Sequence, residues 1–358
     1  MLKPLTLTAA LLSTPAFAAD TPLTVVSWGG DFAAMQDAAL ARPFAEATGQ
    51  AVRFLDTDDP AGLVKTQVEA GNVVVDVASV GQGAAMRLCA EGDVEPLDPA
   101  ALLPAADGTA AAADFMPGTL GDCFVPTDIY STVIAYDRQA LETAPRSAAD
   151  FFDLDRFPGR RALGRTPQFT LELALIADGV PAAQVYELLA TEAGVERALA
   201  RLDGIRDQIV WWDAGAQPIQ LLADREVVMA HAYNGRVYKA AEVDGLPLAI
   251  LWDAQLYEVE GWVIPKGAPQ PQRARDFVAY STSAEAQLRS AAILPYGPPR
   301  LSAQALLENP GADGRTTLAP HLPTAPENMA NALFVAPEFW ADHETQLRER
   351  FTAWLGQD

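Results

Sequence analysis

The sequence predicts an α/β fold built as two lobes, and three observations carry that reading. Strand-like and helix-like segments alternate from residue 23 onward, the pattern of βαβ units around a parallel sheet. The 358 residues suffice for two lobes at roughly 100–200 residues per domain. Two α/β regions follow one another without a low-complexity linker, so the lobes are expected to be joined by strands, with the chain crossing between them more than once.

Taken in order, residues 23–28 (LTVVSW) are apolar and β-branched, as a strand buried on both faces requires. Phe32, Met35, Leu40 and Phe44 follow helical spacing, with Gly49 as the stop. Residues 51–55 read as a strand, 62–70 as a helix stopped by Gly71, and 73–79 as a third strand. Ligands of parallel sheets bind beyond the carboxyl ends of the strands. Those ends carry Trp28-Gly29-Gly30-Asp31 and Ser79-Val80-Gly81-Gln82. A Pro- and Ala-rich surface connection spans 99–117, and 124–136 is extended. Residues 140–157 read as an acidic helix, and 171–177, 182–189 and 195–205 as further helices. Strands are expected at 209–212, 227–232, 248–252 and 261–265, and helices at 274–281, 284–292 and 336–355.

Composition narrows the function. Asp and Glu number 47 against 25 Lys and Arg, a formal net charge of −22. That excludes nucleic acid, which needs a basic footprint, and argues against anionic membrane surfaces. Residues 1–18 carry one early Lys3, an apolar run and small residues flanking Phe17, the form of a cleaved signal peptide. No later stretch is long and apolar enough to span a bilayer, so a soluble, exported protein is expected. In that compartment Cys89 and Cys123 are expected to form a disulfide, contributing about 3–4 kcal/mol in the chain-entropy model. Two free thiols or a metal pair are the alternatives.

The inventory for catalysis is thin. His231, His321 and His343 sit in no metal-binding pattern, and no GxSxG, P-loop or GxGxxG segment occurs, so no metal or cofactor is expected. Glu258 and Glu260, two apart on a strand, share a face; they suit acid/base chemistry, an ammonium group or a solvated edge. Aromatic residues surround this stretch, of which Trp28, Tyr233 and Tyr257 are candidates for a ligand wall, while Trp211, Trp252 and Trp262 are assigned to the core. Arg236, on a turn after Tyr233-Asn234-Gly235, can fork onto a ligand carboxylate or pair with a neighbouring acid.

The ordered set LTVVSWGGDF (23–32), PFAEATG (43–49), VDVASV (75–80), VPTDIYSTVIAYD (125–137), IVWWDAGAQPIQLLADREVVMAHAYNGRVY (209–238), LWDAQLYEVEGWVIPKGAPQ (251–270), LPYGPP (294–299) and LPTAPEN (322–328) resembles periplasmic solute-binding proteins of ABC importers, in the spermidine/putrescine-binding group. The resemblance implies a type II periplasmic binding protein with hinge segments and a central cleft. The first lobe would be 19–125 plus 263–300, and the second 126–262 plus 301–358. Ligand-binding residues would be Trp28, Asp31, Ser79, Gln82, Tyr233, Arg236, Tyr257, Glu258, Glu260 and Tyr296. The partners would be a small cationic or zwitterionic ligand and an inner-membrane ABC permease, for a periplasmic monomer. The sequence departs from the polyamine pattern. Arg165-Thr166-Pro167-Gln168-Phe169 holds no carboxylate, Tyr233 stands where Trp is common, and Glu258 where Trp is frequent. Asn234-Gly235-Arg236 resembles instead the branch that binds γ-aminobutyrate-type zwitterions, with Arg236 on the carboxylate and Glu260 on the amine. An exported hydrolase or lyase using Glu258 and Glu260, and an anion-capturing member of the same fold, remain as alternatives.

Overall fold

The structure, a computed structural model, describes residues 21–308 and 315–357; the expected signal peptide lies outside them. Among the described residues, nine strands form one sheet: β1 (Leu23–Ser27), β2 (Val52–Asp56), β3 (Val77–Gly81), β4 (Val125–Asp137), β5 (Arg161–Gly164), β6 (Ile209–Trp212), β7 (Met229–Tyr233), β8 (Leu248–Val263) and β9 (Leu333–Phe334). The order is β2-β1-β3-β8-β4-β7-β5-β6, with β9 paired to β8. Two parallel trios, β2-β1-β3 and β7-β5-β6, therefore flank a central antiparallel pair, β8-β4. β1 is buried at all five positions, as its apolar sequence requires.

The apolar cores divide along the same line. Val25, Phe44, Val77, Trp262 and Phe277 pack around the first trio. Leu163, Leu171, Met229, Trp340 and Phe351 pack beside the second, with Ala162, Ala230 and Val237 on its other face. β4 and β8 run through both. The expected division at residue 300 cuts through a smaller cluster, in which Ala303, Leu307 and Leu322 pack on Leu288 and Ala291. The last helix, Pro337–Leu355, returns to the second core through Trp340, Leu347, Phe351 and Trp354.

Two sequence expectations are corrected. The acidic helix over 140–157 shrinks to Ala148–Phe151. Pro145 interrupts the stretch, and Asp150 is spent locally on a capping box with Ser147. The strands expected at 248–252 and 261–265 are one strand, β8. The polar residues between them broke the apolar pattern, yet Gln255 is buried, donating to the carbonyls of Pro323 (2.9 Å) and Asn328 (2.7 Å). The β4–β8 ladder slips register between Pro126 and Asp128 and again between Thr132 and Ile134, and Ala254 sits at φ 59° beside the second slip. The expected disulfide joins Cys89 and Cys123, with Cα atoms 5.9 Å apart, tying helix Gln82–Glu91 to the entry of β4.

Candidate functional site

The site lies where β3, β8 and β4 run side by side. Gly81 pairs with Glu260 across β3–β8, and Asp128 pairs with Glu260 across β4–β8. Glu260 Oε1 accepts the indole N–H of Trp28 at 2.8 Å and the hydroxyl of Ser79 at 2.7 Å. Behind it, Gln36 donates to Ser79 Oγ at 3.2 Å and accepts the hydroxyl of Ser27 at 2.5 Å. The acid is thus oriented by a chain of hydrogen bonds, and it is buried. Burial, then the facing Asp128, hold its carboxyl well above the usual range.

Asp128 is equally enclosed. Thr127 donates to its Oδ2 at 2.9 Å, whereas Oδ1 is buried without a hydrogen-bond partner. Burial pushes its pKa up to about 7. Glu258, the second acid of β8, accepts the hydroxyl of Tyr130 at 2.8 Å and the amide N–H of Gln168 at 3.2 Å, both on Oε2. Its Oε1 rests against Gly81, where an added Cβ would stand 2.4 Å away, so a side chain on Gly81 would displace the carboxylate. Burial raises its pKa to about 7 as well.

Facing these acids is one buried cation. Arg236, 5% exposed, lies in the short helix Asn234–Tyr238, which Asn234 anchors by accepting the N–H of Ser131 and donating to the carbonyl of Pro295. Its guanidinium lies against Gly29 and Gly30: Nη2 is 3.5 Å from the carbonyl of Gly29, and a Cβ on Gly30 would meet Nη1 at 3.0 Å. Among the described residues it pairs with no carboxylate, and its buried Nε has no partner. The neighbouring acid that could have claimed it is elsewhere, since Asp31 pairs with Lys239 at 3.4 Å. Tyrosines complete the walls. Tyr130 meets Tyr233 edge-on at 5.5 Å and Tyr296 at 6.3 Å, and Phe32 stands 5.9 Å from Tyr296. Burial lifts the Tyr233 hydroxyl to about 12, with Arg236 pulling the other way.

The arrangement joins Trp28, Ser79, Glu258, Glu260, Tyr233, Arg236 and Tyr296. It does not join Tyr257, whose expected wall position is corrected. One residue from Glu258 along the strand, it faces the opposite side and packs on Phe334 at 5.1 Å. Asp31 is half-exposed and paired. Gln82 is turned away, donating to the carbonyl of Gly118 at 2.6 Å. Sequence reasoning missed Asp128, Tyr130 and Gln168. The first two alternate along β4 as Glu258 and Glu260 do along β8, and that period was available in VPTDIY. Gln168 had no such signal.

A buried acid cluster, a buried guanidinium without a carboxylate partner and tyrosine walls suit a small ligand with opposite charges at its two ends. Residues 39–324 match the family described as bacterial extracellular solute-binding protein. The chain belongs to that family. The γ-aminobutyric acid-binding protein of Pseudomonas aeruginosa is 42% identical over 335 residues, covering 94% of this chain and 91% of that protein. Among solved structures, the PBP MotA from A. tumefaciens B6 in complex with glucopine superposes with a TM-score of 0.84 at 32% identity, covering 94% of this chain and 100% of that one. A GABA receptor superposes with a TM-score of 0.80 at 30% identity, covering 94% and 98%. This solute-binding protein thus has the two-lobed α/β fold of those neighbours, and its relatives are named as binding proteins.

Proposed function

We propose that this solute-binding protein captures an amino-carboxylate of the γ-aminobutyrate type in the periplasm and delivers it to an inner-membrane ABC permease. The observation that carries the reading is Arg236, buried without a carboxylate partner in the same site as Glu260 and Asp128. A buried guanidinium is costly unless paired, and a ligand carboxylate would pair it bidentately. The ammonium at the other end would meet Glu260 and the unpartnered Oδ1 of Asp128. A zwitterion adds no net charge, which suits a site of raised carboxyl pKa values. The named ligand of the 42% identical relative supports the same class. A polyamine would place a second ammonium near Arg236, which repels it.

No covalent chemistry is needed. The lobes, one around β1–β3 and one around β5–β7, would close on the ligand by bending β4 and β8, and ligand bridging both lobes would favour the closed state. Ala303, Leu307 and Leu322, packed on Leu288 and Ala291, would move with the first lobe and the last helix with the second. The protein would act as an exported monomer. Titration calorimetry against γ-aminobutyrate, putrescine, spermidine and glycine betaine tests the reading. Binding of γ-aminobutyrate at least a hundredfold tighter than the amines is expected. Failure to bind any amino-carboxylate would sink it.

A further inference from the structure

The helix Gly30–Gln36 and the turn after it lay an apolar stripe on the sheet, with Phe32, Met35 and Leu40 buried. Gln36, four residues from both Phe32 and Leu40, falls in the middle of that stripe and is fully buried. A buried amide is costly there unless both its ends are hydrogen-bonded. Here they are, and the bonds lead in one direction. Ser27 donates to Gln36 Oε1 at 2.5 Å, Gln36 Nε2 donates to Ser79 Oγ at 3.2 Å, and Ser79 donates to Glu260 Oε1 at 2.7 Å. Ser27 and Ser79 are also fully buried, so water does not compete. The helix changes pitch directly after Gln36: Asp37–Ala41 is a π turn, a rare widening met often at functional sites.

The amide sets the sense of the chain. Its nitrogen can only donate, so Ser79 accepts that hydrogen on a lone pair and turns its own single hydrogen on Glu260. A flipped amide would claim the Ser79 hydrogen and leave Glu260 Oε1 with the Trp28 indole alone. The charge-assisted bond from Ser79 to the carboxylate favours the first sense. Both donors fall on Oε1, which leaves Oε2 free of them.

We propose that Gln36, too buried to touch a ligand itself, is a positioning residue that holds Glu260 as a hydrogen-bond acceptor for the ligand's ammonium. The inference rests on the reading that an ammonium meets Glu260, and not on what the other end of the ligand carries. Asp128 on β4 and Glu258 on the same strand face Glu260 with like charge, Tyr130 and Tyr233 are its neutral neighbours, and Arg236 is the cation of the site. Against burial and those acids, the hydrogen bonds from Ser79 and Trp28 favour the ionised carboxylate. Losing the Ser79 hydrogen therefore favours the protonated acid, which holds an ammonium poorly.

The test is a double-mutant cycle read by calorimetry with γ-aminobutyrate from pH 5 to pH 8. Gln36→Met should weaken binding about fivefold, the size of one net hydrogen bond, and Ser79→Ala about tenfold. The double variant should be no weaker than Ser79→Ala, because Gln36 acts only through that hydroxyl. In all three, the loss of affinity towards acid should set in at higher pH than in the wild type. Ser27→Ala, which frees the amide to turn, should show the same change in milder form. Additive losses, a Gln36→Met loss equal at every pH, or unchanged binding overturns the inference. Should Gln36→Met not fold, a wild-type pH profile in Ser27→Ala overturns it. If the wild type binds putrescine and not γ-aminobutyrate, the amino-carboxylate reading falls and the cycle is read with putrescine; binding of neither overturns both.

Discussion

Glu260 and Glu172 are chemically near twins in different regions of the molecule. Each is a buried carboxyl accepting an indole N–H, from Trp28 at 2.8 Å and from Trp340 at 2.7 Å. Burial raises the pKa of both. Their company differs. Glu260 faces Asp128, whose Oδ1 has no partner, and shares its site with Arg236, which has no carboxylate. Glu172 is ringed by its own core, with Tyr186 and Trp340 both donating to Oε1 while Oε2 is buried without a partner. A buried acid with a raised pKa, even one with an unpartnered oxygen, is thus not by itself a binding site; a second acid and a buried cation without a carboxylate in the same site make the difference.

The sharpest way to break the comparison is at its charged ends. Arg236→Ala and Glu260→Gln should each weaken γ-aminobutyrate binding at least a hundredfold, about 3 kcal/mol, the order of a charge-assisted hydrogen bond lost in a buried site. Circular dichroism should show both variants folded. Equal weakening by Glu172→Gln would erase the distinction.

A smaller effect separates the regions by pH. Asp128, Glu172 and Glu258 are each raised by burial to about 7. An acid so raised keeps its proton in the folded state after the unfolded chain has lost it. Stability is therefore full below the unfolded pKa, near 4, and falls as pH rises to about 7. The thermal midpoint of the ligand-free protein should drop by several degrees between pH 5 and pH 8. Glu172→Gln should flatten part of that slope without altering the pH dependence of ligand binding, measured by calorimetry over the same range.

The smallest effect lies in the indoles. Trp340→Phe should cost about 1–2 kcal/mol of stability in urea unfolding, because it leaves a buried acceptor of Glu172 short of a donor. Trp28, at 37% exposure, is the rim counterpart. Trp28→Phe should leave stability within about 0.5 kcal/mol and weaken binding up to tenfold.

Much of the Glu260 region was legible in the sequence. Glu258 and Glu260 declare a shared face by their spacing, and Trp28, Ser79 and Arg236 sit at strand ends or turns where ligands bind. Asp128 was hidden inside an apolar run, although its alternation with Tyr130 on β4 carried the signal. Tyr257 was misplaced against that same rule of alternation. The fold class was legible from strand–helix alternation, but the continuity of β8 was not. Its polar residues are satisfied by groups remote in sequence, as Glu260 is by Ser79, 181 positions away. The turn at Phe169 was illegible for a different reason: nothing local marks a phenylalanine at positive φ.

β4 and β8 have a mechanical consequence. Two adjacent strands that run unbroken through both cores behave as a leaf spring, stiff in the plane of the sheet and compliant across it. The ladder is creased at 126–128 and again at 132–134, and the stretch between the creases carries Asp128 and Tyr130 opposite Glu260 and Glu258. Flexing concentrated at the creases would leave the acids in fixed mutual positions if the lobes swing as proposed. The acid end of the site would then ride on the stiff leaf, and the swing would change mainly the distance to Arg236 on one side and Trp28 on the other.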